Sequence, residues 1–103
     1  MENTAEDSRR QGLTDTARPE HAEPARGARD LGDELILHEA QGGCVHVLNA
    51  SAREVFLLCD GTRDLRTVSR ALAECYGIEE AVARRDAETV IADLVRLGFL
   101  RLS

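Results

Sequence analysis

No stretch of this sequence is long and apolar enough to span a membrane. The charged N-terminus is not followed by the apolar core of a secretion signal, so a cytoplasmic protein is expected. Lysine is absent, and every basic side chain is an arginine. No CxxC pair exists. Cys44, Cys59 and Cys75 are 15 and 16 residues apart, and no histidine follows at zinc spacing. Three small buried hydrophobes are therefore expected rather than a metal or redox centre. No serine sits in a Gly-x-Ser-x-Gly setting. Glu79, Glu80, Asp60 and Asp64 stand where helices start, which suits the helix dipole and not an acid–base pair. No catalytic constellation and no cofactor site is legible.

Branched apolar residues are also missing from the first third. Residues 1–30 hold a single Leu and no Ile, Val or Phe, yet both prolines, Pro19 and Pro24. Such a segment cannot bury enough apolar surface to offset chain entropy. The expected organisation is a disordered tail over 1–30 and one folded domain over 31–103. Net charge is −6, and an acidic surface repels phosphate backbones, which excludes nucleic acid as the favoured partner.

What is present is a short core inventory: Leu35, Ile36, Leu37, Val45, Val47, Leu48, Val55, Phe56, Leu65, Val68, Leu72, Val90, Ile91 and Leu94. The runs "ELILH" (34–38) and "CVHVL" (44–48) are β-prone, with Gly42-Gly43 as the turn signal between them. Gly32-Asp33 is a candidate two-residue turn, which makes 28–31 a weak first strand. A lone strand histidine such as His46 is expected to point outward.

Helices follow. Asn49 or Ser51 caps the first, whose apolar stripe is Ala52, Val55, Phe56 and Cys59, and Gly61 suits its stop. Asp64 caps a second over 65–76, ended by Gly77. A third runs over 80–97 to Gly98, and 99–102 is apolar and extended. Strands ahead of three helices, with a tight turn between the last two, predict an α+β domain of winged helix-turn-helix layout, with a small antiparallel sheet of two to three strands.

The run "VHVLNASAREVFLLCDGTRDL" resembles the PqqD family. It has a strand ending Leu48-Asn49, small residues Ala50 and Ala52 early in the helix, the pair Val55-Phe56, then Leu58-Cys59-Asp60-Gly61. The remainder, through "LVRLGFL", resembles the family's later helices, and the likeness covers about 33–102. The long polar N-terminus and the lack of a clear first strand depart from the pattern. The resemblance implies a non-enzymatic peptide chaperone of modified-peptide biosynthesis. Such a protein holds the leader of a ribosomally made precursor as an added strand. It presents the leader to a modifying enzyme, such as a radical S-adenosylmethionine protein or a cyclase.

On that footing the docking edge is Cys44, Val45, His46 and Val47. The third helix supplies a groove wall from the margin bearing Arg84, Glu88, Ile91 and Val95, opposite the acidic margin of Asp86 and Asp93. The competing reading is a DNA-binding or signalling winged helix. Against it, residues 80–97 carry Arg84, Arg85 and Arg96 against Glu80, Asp86, Glu88 and Asp93, a net negative helix poorly suited to a major groove.

Overall fold

The computed structural model describes residues 13–22, 28–39 and 43–102. In chain order the elements are β1 (Pro19–His21), β2 (Arg29–Asp30), β3 (Leu35–His38), β4 (Val45–Leu48), α1 (Ala50–Leu58), α2 (Leu65–Tyr76), α3 (Glu80–Leu97) and β5 (Leu100–Leu102). Residues 1–12, 23–27, 40–42 and 103, which include Pro24 and Gly42, lie outside the described residues.

The wing forms because Gly32, at φ +96°, lets the chain reverse within two residues. The Leu31 N–H donates to the Glu34 carbonyl at 2.8 Å across that turn, and β2 pairs antiparallel with β3. β4 lies on the other side of β3, with Leu35 opposite Leu48 and His38 opposite Val45. Alternation then sorts the side chains. Leu35 and Leu37 are each 3% exposed and enter the core. Val45 and Val47, expected in the core, lie on the other face and are 50% and 59% exposed. An antiparallel wing covered on one side has only one buried face, and that face belongs to Leu35, Leu37 and Leu48.

Caps set the helix ends. The Asn49 side chain accepts the Ala52 N–H, and the Asp64 side chain accepts the Thr67 N–H, both at 2.9 Å. Gly77 and Gly98 adopt the left-handed conformation at the ends of α2 and α3. The amphipathic stripes converge on a core of Val55, Phe56, Cys59, Leu65, Val68, Leu72, Ile91 and Leu94. Ala83 and Ala87 bring α3 close to its neighbours, since their small side chains are fully buried. Each fully buried Leu or Ile contributes about 1.5–3 kcal/mol. Val90, expected in this core, is only partly buried and packs against it.

Residues 13–22 fall in the segment that composition assigns to a tail, yet they run as a strap over the helices. β1 pairs antiparallel with β5, with Pro19 opposite Leu102 and His21 opposite Leu100. The binding is mostly main-chain. The carbonyls of Ala17 and Asp15 accept the N–H groups of Leu65 and Arg66 at 2.9 and 3.2 Å, and the Pro19 carbonyl accepts the Gly61 N–H at 2.9 Å. With Asp64 on Thr67, the three amides that open α2 are all satisfied, two of them by the strap. The His21 ring stacks on Phe56 with centroids 4.1 Å apart, and Pro19 is fully buried. The strap passes close to Gly61. A Cβ there would come within 2.9 Å of Glu20 Oε1, and its φ is +89°.

Candidate functional site

The free edge of the wing is the feature that stands out. Strand order is β2-β3-β4, so β3 is central and β4 has no neighbour on its outer side among the described residues. Which groups it offers follows from one bond. The Glu39 N–H donates to the Cys44 carbonyl at 2.9 Å, and the register sets 39 opposite 44. In an antiparallel ladder, bonded and non-bonded pairs alternate. Cys44, His46 and Leu48 therefore turn their main-chain groups to β3. Val45 and Val47 turn theirs outward, presenting two N–H donors and two carbonyl acceptors. The five residues 44–48 contain no charge, proline or glycine, the devices that usually blunt an edge.

The side chain of His46 points to the inner face, against the outward orientation expected for it. Its Nε2 is 2.7 Å from Glu39 Oε2, and its ring meets Phe99 edge-on, with centroids 5.7 Å apart. Neither Glu39 nor Phe99 was a predicted site residue. Phe99 follows the helix-ending Gly98 directly, which is the one local signal that its ring leaves the helix. Cys44 is exposed at the start of the edge.

The α3 residues are placed differently. Ile91 is 0% exposed and closed within the core, because it sits near the middle of the buried arc and not at its margin. Val95 is partly buried and packs against that core. Arg84 and Glu88 grip the strap. Arg84 Nη2 donates to the Leu13 carbonyl at 2.8 Å, and the Leu13 N–H donates to Glu88 Oε2 at 2.9 Å. Arg84 also pairs with Asp15, which reaches Arg66 at 3.1 Å. The two side chains together bind both main-chain groups of a single residue, Leu13.

The cysteines divide. Cys59 is buried, and desolvation pushes its thiol up to about 12. Cys44 and Cys75 are exposed, so the expectation of three buried hydrophobes holds for one only. Among the described residues no cluster of His, Cys, Asp and Glu is arranged to hold a metal ion, and no helix is long and apolar enough to cross a membrane. On α1, Arg53 holds Asp30 in a two-pronged pair at 2.7 and 2.9 Å, fastening β2 to the helix. The hydrogen bond from Arg53 also lowers the Asp30 carboxyl pKa.

A three-stranded antiparallel wing in front of three helices is the winged helix-turn-helix form of the α+β class. Within that class, residues 34–100 match the family described as Coenzyme PQQ synthesis protein D (PqqD). The chain belongs to the PqqD family. It is 41% identical over 49 residues to a PqqA binding protein of Rhodopseudomonas palustris (strain TIE-1), a stretch covering 48% of this chain and 48% of that relative. The matched stretch thus spans about half the length of the curated relative. Among solved structures, TbiB1 in complex with the TbiA(beta) leader peptide matches with a TM-score of 0.68 at 18% identity, over 79% of this chain and 94% of that one. The likeness is one of fold.

Proposed function

We propose that the protein captures the leader segment of a ribosomally made precursor peptide as an added strand on β4 and presents it to a modifying enzyme of radical S-adenosylmethionine or cyclase type. The observation that carries this reading is the pair of outward main-chain sets on Val45 and Val47 at an unblunted edge. Strand addition draws affinity from such groups and specificity from alternate side chains. Membership of the PqqD family, a relative that binds PqqA and a fold neighbour solved with a leader peptide all support it. The role is non-catalytic. On the α3 side, Val95 is the apolar wall of the groove, and Ile91 supports it from beneath. Arg84 and Glu88 belong to the same margin, but they take up a leader only where the strap yields them. The DNA-binding alternative is disfavoured by the net negative α3.

The test is titration of the leader segment of a short precursor encoded beside the gene into the full chain, followed by amide NMR. Saturable shifts at Val45 and Val47, lost in Val45→Pro, are expected. Saturable binding that leaves both amides unmoved and survives Val45→Pro would overturn the reading.

A further inference from the structure

The outer face of the wing has a composition that the edge alone does not explain. One row across it reads Arg29, Ile36, Val47, because Arg29 lies opposite Ile36 and Ile36 opposite Val47. The next row reads His38, Val45. A solvent face of an antiparallel sheet is ordinarily polar. Here the polar residues stand away from the open edge and the apolar ones beside it, with Val45 and Val47 half or more exposed. Apolarity rises toward the edge that no described strand covers.

Geometry dictates what covers that patch. When the captured strand runs antiparallel to β4, a residue exchanging main-chain bonds with Val45 or Val47 turns its side chain to the same face, with Cβ atoms about 4.5–5.5 Å away. Residues on either side of it turn inward, beside His46 and Leu48. Resting on the strand-addition reading above, we propose that the captured segment is recognised on both faces of the enlarged sheet. Val45, Val47 and Ile36 form an outer subsite for two aliphatic, preferably β-branched, side chains spaced two residues apart. The preferred ligand is therefore a short run apolar at consecutive positions, not an alternating amphipathic strand.

Random twelve-residue peptides displayed on phage and panned on the full-length chain test this. The panels are wild type, the double variant Val45→Thr/Val47→Thr, and Val45→Pro. Threonine keeps the β-branch and volume while removing apolar surface. Wild type should enrich peptides with two interleaved apolar sets. The double Thr variant should relax one set only, and should weaken the leading wild-type peptide by about fivefold for each lost apolar cross-strand pair. Val45→Pro should abolish enrichment of both sets. Peptides with one apolar and one polar alternate set, equally enriched on wild type and the Thr variant but lost on Val45→Pro, overturn the outer subsite and leave strand addition standing. Enrichment that survives Val45→Pro overturns strand addition itself, and no enrichment on wild type overturns both. If sedimentation shows a dimer that the Thr variant dissolves while peptide selection is unchanged, the patch belongs to a second copy and the proposal falls.

Discussion

The carbonyl of Ala17 accepts the amide hydrogen of Leu65 at 2.9 Å, so a residue outside the family-matched region completes the start of α2. Deleting residues 1–22 removes this bond, the neighbouring one that the Arg66 N–H donates to the Asp15 carbonyl, and the β1–β5 pairing. At about 1 kcal/mol per main-chain bond, a loss of at least about 2 kcal/mol is expected, read as a lower urea midpoint. An unchanged midpoint would show that the strap contributes nothing to stability.

Arg84→Glu separates two roles of one side chain. Its partners are Asp15, the Leu13 carbonyl and Glu88. The substitution sets three carboxylates together, so the strap should detach. Amide exchange at Leu65 and Arg66 should accelerate while the core amides stay protected. If exchange is unchanged and only leader affinity drops, Arg84 acts in the groove and not on the strap.

Proline placement along β4 should give alternating outcomes. Val45→Pro and Val47→Pro remove outward donors, so the chain should fold and lose leader binding. His46→Pro removes a donor that serves β3, and should damage the wing itself. Circular dichroism and thermal melts distinguish the two, and equal destabilisation by all three would contradict the deduced bonding pattern.

Cys59 should impose an alkaline limit. Burial raises its pKa from 9.0 to about 12, so the folded state keeps its proton where the unfolded state loses it. That stability is complete below about pH 9 and fades as pH rises toward about 12, with a slope near 1.4 kcal/mol per pH unit at its steepest. Cys59→Ala should flatten this slope at the cost of a small cavity. At neutral pH iodoacetamide should label Cys44 and Cys75 and spare Cys59 until the protein unfolds.

Asn49→Ala deletes the cap on Ala52 and should cost about 1 kcal/mol, measured by chemical denaturation. The matching acidic effect belongs to Asp64, whose carboxyl pKa is lowered chiefly by the Thr67 N–H. Its contribution is present above the ordinary carboxylate range and lost as pH falls through the lowered value. Asp64→Asn should therefore reduce the acid sensitivity of α2.

The helices were legible because their ends carry chemical signals. Asp64, Gly77 and Gly98 each occupy the cap position their residue type suggests, and Asn49, not Ser51, caps α1. Helix α1 is the exception, ending at Leu58 with Cys59 as its cap and not at Gly61. The wing was legible from two β-prone runs, but its two faces were not. Val45 and Val47 are as apolar as Leu35 and Leu37, and only the register separates them. The strap was hard to read because many of its bonds are made by main-chain carbonyls, which carry no residue signature. Its partners lie 35 to 83 positions away, from His21 and Phe56 to Pro19 and Leu102. Within the candidate site, the α3 margin was displaced for the same reason, since nothing in the sequence says that Leu13 and Asp15 reach Arg84 and Glu88.

The bare edge of β4 also has a colloidal consequence. An uncharged, β-prone rim is a template for any strand, including one from another copy of the chain. Long-range repulsion from a net charge of −6 opposes such pairing between empty copies. That repulsion vanishes near the isoelectric point of about 5.0 and shortens in range as salt is added. Turbidity of the peptide-free protein should therefore peak near pH 5 and rise with ionic strength at neutral pH. A bound strand should suppress both effects by occupying the rim, so solubility itself becomes a readout of occupancy.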